Sequence, residues 1–206
     1  MLRQVLYAAF GVPTGCWGRV GGRLMGVLNH DINAFTVDLL EVETRDRVLE
    51  IGYGPGTALA LLGRQASAGL IAGVDPSAEM ARQARRRNRR LVRQGRVRLA
   101  LGQSARLPFA AGRFDKVCSV NTFYFWPAPP TDLAEIRRVL KPGGRAALTF
   151  RGKRGPSGGL SVRTIYGAEY SVEEVAAMLA AIGLRDVRTE VRKLRFVTAV
   201  CLVGRA

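Results

Sequence analysis

Five residues, Gly52-Tyr53-Gly54-Pro55-Gly56, follow the apolar run Val48-Leu49-Glu50-Ile51 and precede a helical pattern beginning at Thr57. Glycines in such a loop let the backbone turn tightly and approach a ligand closely, while N–H groups at the start of the following helix attract negative charge. Three ligand classes use this device. A Walker loop would end in Gly-Lys-Ser/Thr, which is missing, and the dinucleotide pattern GxGxxG would need glycine where Thr57 stands. What remains is the acidic Glu50 followed by GxGxG, which a plain tight turn between strand and helix would also satisfy. A second motif weighs against the plain turn. Gly73-Val74-Asp75-Pro76-Ser77 places a carboxylate 25 positions after Glu50, at the end of the next strand, where it can accept both hydroxyls of a ribose. An isolated Asp-Pro-Ser would more often be a helix cap; in register with the glycine loop, the ligand reading prevails.

The elements that must position these residues follow from periodicity. Residues 47–51 form a short apolar run ending in glycines, a buried strand, and 57–65 a helix. The pattern repeats with a strand at 70–74, a helix at 77–93 capped by Asp75 or Ser77, and strands at 96–100 and 114–120. A helix at 132–140 and a strand at 145–150 follow, joined by the turn Lys141-Pro142-Gly143-Gly144. Alternating strands and helices require right-handed crossovers and a mostly parallel sheet. Ser171 and Glu174 make a capping box opening a helix at 171–181. Strands at 185–191 and 194–203 are separated only by Arg192 and Lys193, so they pair antiparallel. Upstream, Val20, Leu24, Val27, Leu28, Ile32, Phe35 and Leu39 recur at helical spacing, predicting a helix over 18–41 weakened by Gly21, Gly22 and Gly26. The stretch 151–170, rich in glycine and basic residues, reads as a substrate-side loop. The expected fold is α/β, a Rossmann-like doubly wound seven-stranded sheet, mostly parallel with a C-terminal antiparallel hairpin. It forms one domain over 1–206, with 1–45 a helical substrate-side segment and 46–206 the Rossmann-like core.

VLEIGYGPG and GVDPSAEM, followed by GQSARLPFAAGRFDKV and RRVLKPGG, together resemble the class I S-adenosylmethionine-dependent methyltransferases. The likeness covers about residues 40–152 and is nearest the branch containing ubiquinone/menaquinone-type and many natural-product enzymes. By that resemblance Glu50 binds near the methionine end of the cofactor, and Gly52, Tyr53, Gly54 and Gly56 line it. Asp75 holds the ribose hydroxyls, with Pro76 and Met80 against the adenine. The family's GDAxxLPF segment uses aspartate to accept the adenine amino group; Gln103 stands there instead, with an uncharged amide oxygen able to accept the same bond and Ser104 beside it.

The expected fourth strand runs out into Asn121-Thr122-Phe123-Tyr124-Phe125-Trp126, beside the transferable methyl in that family. Amino-group methyltransferases of adenine or glutamine carry Asn/Asp-Pro-Pro-Tyr/Phe here. Asn121 and Tyr124 match its ends while Thr122 and Phe123 replace the prolines, which argues against that subclass. Asn121 is expected at the cofactor, and Tyr124 and Trp126 in the acceptor pocket, whereas Phe123 and Phe125 would serve equally as core. His30, the sole histidine, is a candidate general base beside Tyr124 if the acceptor is a hydroxyl, although a lone histidine is more often a surface or capping residue. Tyr166 and Arg151 are expected on the substrate, Tyr7 and Tyr170 have weaker cases, and Lys153, Arg154 and Arg163 could join Arg151 at an anionic group.

Bulk properties set the remaining bounds. At 206 residues, with 48% hydrophobic and 23% charged residues, the chain has the composition of a soluble globular domain. No apolar run approaches the roughly 20 residues a spanning helix needs, which predicts a cytoplasmic protein. Cys16, Cys118 and Cys201 are scattered and suggest neither disulfides nor a zinc site, and no cluster of metal ligands is seen. The net charge of +16 is almost all arginine, densest over 81–90. It fits a solvated face or contact with nucleic acid or an anionic membrane surface. The expected activity is methyl transfer from S-adenosyl-L-methionine, leaving S-adenosyl-L-homocysteine, to a small-molecule or lipid-like acceptor by direct in-line displacement. A nucleic-acid or protein methyltransferase using the basic surface, and a non-catalytic S-adenosylmethionine-binding protein, are the alternatives.

Overall fold

The computed structural model describes residues 29–155, 158–195 and 197–206. Its elements are α1 (His30–Leu40), β1 (Arg47–Ile51), α2 (Thr57–Gln65), β2 (Leu70–Asp75), α3 (Ala78–Arg87), α4 (Arg89–Arg93), β3 (Val97–Leu101) and β4 (Phe114–Val120). A 3-10 turn (Phe123–Phe125), α5 (Pro129–Val139), β5 (Leu140–Arg151), β6 (Lys153–Arg154), β7 (Leu160–Arg163), β8 (Glu169–Ser171), α6 (Val172–Ala181), β9 (Arg185–Lys193) and β10 (Thr198–Arg205) complete it.

Seven strands form one sheet in the order β3-β2-β1-β4-β5-β10-β9. The first five are parallel, and β10 runs antiparallel to both neighbours. The chain reverses its direction of winding between β1 and β4, the place where open sheets of this kind bind ligands. Alternation along the strands divides the core between the two faces. Leu49, Ile51, Val117 and Phe150 face the apolar sides of α5 and α6, while Val48, Cys118 and Val203 face α1, α2 and α3. Cys118 and Cys201 are buried, and burial pushes both thiols upward, so they are inert packing groups. Cys16 lies outside the described residues.

Helix α1 closes the second face. Ile32, Phe35 and Leu40 are buried, Thr36 Oγ1 lies 2.8 Å from Thr149 Oγ1 on β5, and the Arg192 guanidinium stands 4.5 Å from the Phe35 ring centroid. The expected helix over 18–41 is thus present from His30 to Leu40, and residues 18–28 lie outside the described ones.

Three expectations need correction. The stretch expected as a loop over 151–170 instead contributes the strands β6, β7 and β8 of a three-stranded antiparallel sheet. Leu160 and Val162 turn toward the α6 side of the core, Ser161 Oγ donates to Glu169 Oε1 at 2.6 Å, and the turn 164–168 closes through Thr164 N–H to Ala168 O at 2.7 Å. The helix expected over 77–93 breaks at Asn88, whose amide donates to Gly56 O at 2.9 Å and Ala84 O at 3.0 Å. The final hairpin is antiparallel as expected, but β9 runs through Lys193 and β10 begins only at Thr198. No described helix is long and apolar enough to cross a membrane.

Candidate active site

Beyond β1 the backbone passes through Gly52, Gly54 and Gly56 at φ of 72°, 48° and 78°, the left-handed region that glycine enters without strain. The three differ in what they face. A Cβ on Gly52 would stand 2.1 Å from Thr122 Cγ2, and one on Gly56 would stand 2.9 Å from Ala84 Cα, whereas Gly54 faces open space. Gly52 therefore lets the loop after β4 come close, and Gly56 lets α3 come close. Gly54 alone leaves room for a ligand. Gly52, Tyr53 and Gly54 line the adjoining cavity and Gly56 does not.

That cavity, about 440 Å³, runs across the carboxyl ends of the strands and has the size of a small-molecule site. At its β1–β2 end, Asp75 Oδ2 accepts the Gly54 N–H at 2.9 Å and Oδ1 accepts the Ser77 N–H at 2.8 Å. Each oxygen keeps a further lone pair for a ligand. Burial pushes the Asp75 carboxyl upward and these two bonds oppose the shift. Ser77, not Asp75, caps α3, its Oγ accepting the Met80 N–H at 3.3 Å. Pro76 and Met80 line the same wall. Glu50, 2% exposed, sits in register between Gly73 and Cys118, and its Oε2 has no hydrogen-bond partner among the described residues. Burial, and next the nearby Asp75 charge, hold its carboxyl well above the ordinary range. Tyr53 packs its ring against Gly73, where a Cβ would meet Tyr53 Cδ1 at 2.6 Å, and donates its O–H to Ala100 O at 3.3 Å.

Gln103 and Ser104 line the cavity beyond β3. Ser104 donates its hydroxyl to Asp132 Oδ1 at 2.5 Å, while Asp132 Oδ2 is buried without a partner among the described residues. Asp132 also lines the cavity, and sequence reasoning missed it: an aspartate in the first turn of a helix signals only a helix start. Thr57, Asn29 and Asn33 are further lining residues that carried no motif.

At the β4–β5 end one network joins three elements. Asn121, at φ 57°, accepts the Tyr124 O–H at 3.1 Å, and Tyr124 Oη accepts the Arg151 N–H at 2.5 Å. Asn29 Oδ1 accepts from Arg151 Nη2 at 2.6 Å and from Asn121 Nδ2 at 3.4 Å. The Ile165 N–H donates to Tyr124 O at 2.9 Å, which brings the 164–168 turn over the site and sets the half-exposed Tyr166 on the cavity wall. Burial pushes the Tyr124 phenol up to about 12, so it is neutral at neutral pH. Phe125 and Trp126 line the cavity. Phe123 instead fills the core against Trp126, Phe150 and Tyr170, their ring centroids 5.4, 5.9 and 5.7 Å away.

The structure does not bring His30 to this site. Its side chain is 60% exposed, its Nδ1 lies 3.6 Å from Asp31 Oδ1, and it is outside the cavity lining, because α1 turns Ile32 and Phe35 inward and leaves His30 on the solvent side. Lys153, Arg154 and Arg163 are likewise exposed and off the cavity, and Tyr7 lies outside the described residues.

The strand order, the glycine loop and the carboxylate at the end of β2 define an α/β protein with a cavity at the carboxyl edge of its sheet, where folds of this kind bind ligands. Comparison with known proteins names the class. Residues 49–148 match the methyltransferase domain family. An uncharacterized methyltransferase of Bacillus subtilis, YdaC, is 27% identical over 186 residues, covering 90% of this chain and 97% of that protein. The methyltransferase GfsG of Streptomyces halstedii is 32% identical over 109 residues, 53% of this chain and 39% of its own length. The crystal structure of an S-adenosylmethionine-dependent methyltransferase from Aquifex aeolicus superposes with a TM-score of 0.68 at 21% identity, covering 84% of this chain and 88% of that one. The chain is thus similar to methyltransferases, to one of them over nearly its whole length, and it has the fold of the S-adenosylmethionine-dependent enzymes.

Proposed function

We propose that the chain is an S-adenosylmethionine-dependent methyltransferase acting on a small-molecule or lipid-like acceptor seated at the β4–β5 end of the cavity. The observation that carries the reading is the make-up of that end, where the Tyr124, Phe125 and Trp126 rings stand beside the polar atoms of Asn29, Asn121 and Arg151 in one cavity with Gly54 and Asp75. Apolar walls with a few convergent polar groups suit a compact molecule.

The residues present fit the cofactor. Glu50 Oε2, buried and unpartnered, suits the ammonium of the methionine moiety, and the remaining Asp75 lone pairs suit the two ribose hydroxyls. Gly54 leaves room for close backbone approach. Pro76 and Met80 flank the purine, with Gln103 and the open Asp132 oxygen as acceptors for its amino group. When bound, S-adenosylmethionine supplies an electrophilic methyl that a nucleophile displaces in line. The chain's own contribution is alignment and exclusion of water: Tyr124 and Asn121 fix the wall opposite the glycine loop, and the aromatic rings keep it dry. His30 has no part in this scheme; His30→Ala retains activity within about twofold, since an exposed side chain off the cavity supplies no base to it.

The test is release of S-adenosylhomocysteine with the purified chain against a panel of small oxygen, nitrogen and carbon nucleophiles, run beside tRNA, plasmid DNA and protein. Methyl transfer confined to the polymers would overturn the acceptor reading. Unchanged S-adenosylhomocysteine affinity in Asp75→Ala, where at least tenfold weakening is expected from the loss of two charge-assisted bonds, would overturn the cofactor placement.

A further inference from the structure

The charged groups of the cavity are segregated by strand. Its carboxylates, Glu50, Asp75 and Asp132, come from β1, β2 and α5, and its one cation among the described lining residues, Arg151, comes from the end of β5. In the order β2-β1-β4-β5 three strand spacings separate Asp75 from Arg151, roughly 14 Å. Arg151 therefore stands at the acceptor end, well away from the Asp75 carboxylate.

Its guanidinium has no counter-ion. All 16 aspartates and glutamates of the chain are among the described residues, because residues 1–28, 156–157 and 196 contain none. No carboxylate is ion-paired with Arg151. The guanidinium donates to a neutral amide, Asn29 Oδ1, through Nη2, and its buried Nε has no partner among the described residues. A partly buried cation in this state carries a desolvation penalty that no carboxylate of the chain offsets, and a planar fork of N–H donors matches a carboxylate or phosphate. Elsewhere the chain pairs its well-buried arginine: Arg145, 5% exposed, meets Glu41.

We propose that the methyl acceptor is an anion, a carboxylate or phosphate whose charged group sits on Arg151 while its nucleophile points back toward the glycine loop. This rests on the reading of the cavity as one cofactor and acceptor site. The same chemistry could come from the cofactor's own methionine carboxylate, so the experiment separates the two sources.

Isothermal titration of the full chain saturated with S-adenosylhomocysteine compares benzoate and phenyl phosphate with benzamide, a neutral molecule of similar shape. The anionic probes are expected to bind at least tenfold more tightly than benzamide. Arg151→Gln is expected to bring that ratio near one and to leave S-adenosylhomocysteine affinity within about twofold, and Arg151→Lys to restore part of the preference. Thermal melts of both variants report whether they are folded. Equal binding of charged and neutral probes, or a preference that survives Arg151→Gln, overturns the proposal. It is also overturned if Arg151→Gln weakens S-adenosylhomocysteine tenfold or more while leaving 5′-methylthioadenosine, which lacks the carboxylate, unaffected; the anion is then the cofactor's. Failure of the wild-type chain to bind S-adenosylhomocysteine removes the underlying reading as well, and the first titration shows this before any anion is added.

Discussion

At Glu50 burial and charge conflict directly. With its carboxyl held well above the ordinary range, the ligand-free chain keeps that proton to higher pH than an unfolded chain does. Ligand-free stability accordingly declines as pH rises past the unfolded glutamate value, since the unfolded chain ionises first. An ammonium group placed against Glu50 Oε2 reverses the preference and lowers the pKa. Between the two values, binding of S-adenosylhomocysteine expels a proton and its affinity rises with pH, by up to about tenfold per pH unit. Glu50→Gln is expected to bind more weakly and with a flat pH profile. Titration calorimetry in two buffers of different ionisation enthalpy measures the proton directly, and a pH-independent wild type would remove Glu50 from the ammonium site. The glycines divide at the same scale. Alanine at Gly54 meets nothing within 4 Å and carries only the left-handed backbone strain, about 1–2 kcal/mol, whereas at Gly56 it also meets the backbone of Ala84. Gly56→Ala should lower the urea midpoint more, and Gly54→Ala should weaken cofactor binding more.

Among the elements, α5 acts as a latch on the segment after β3. Glu135 Oε2 accepts the Leu107 N–H at 2.7 Å, and Arg138, itself ion-paired with Glu135, donates to Phe109 O at 2.8 Å and Leu107 O at 3.1 Å. These bonds hold the segment that sets Ser104 against Asp132. Glu135→Ala strips the acceptor from Leu107 and leaves Arg138 unpaired, so a loss of about 1–3 kcal/mol in denaturant unfolding is expected together with severalfold weaker S-adenosylhomocysteine binding. A variant that loses stability at unchanged affinity would show that the latch does not position the site. The parallel strands and their glycine loop were legible in the sequence because a strand buried on both faces must be apolar and the turn that follows must admit positive φ. The small sheet β6-β7-β8 was not, because strands of two to four residues among glycines carry no period and exist by virtue of pairing with each other. Asn88 was hidden within a run of good helix formers; only contact with Gly56 gives its amide a reason to end the helix. Asp132 and Gly56 follow the same logic: one joins the cavity and the other leaves it through neighbours distant in sequence.

Taken whole, the molecule carries +16 charges, and its densest basic stretch lies on α3 and α4, where Arg86, Arg89, Arg90 and Arg93 are exposed. None of the four lines the cavity, which opens at the carboxyl ends of the strands. The surface field and the site are therefore separable. A field of this strength binds polyanions through counterion release, and such binding falls by about 10³–10⁵ between about 50 and 200 mM salt when six to ten phosphates are contacted. Recognition in the cavity rests on buried partners that salt screens little. Substituting glutamine at Arg86, Arg89, Arg90 and Arg93 is expected to reduce retention of plasmid DNA at low salt and to flatten its salt dependence. S-adenosylhomocysteine affinity and turnover of a small acceptor should stay within about twofold of wild type. Filter binding across a salt series, alongside calorimetry with S-adenosylhomocysteine, measures both quantities on the same protein. If the four substitutions abolish methyl transfer to small acceptors, the basic face belongs to the substrate path, and the acceptor must then reach well beyond the cavity at β4 and β5.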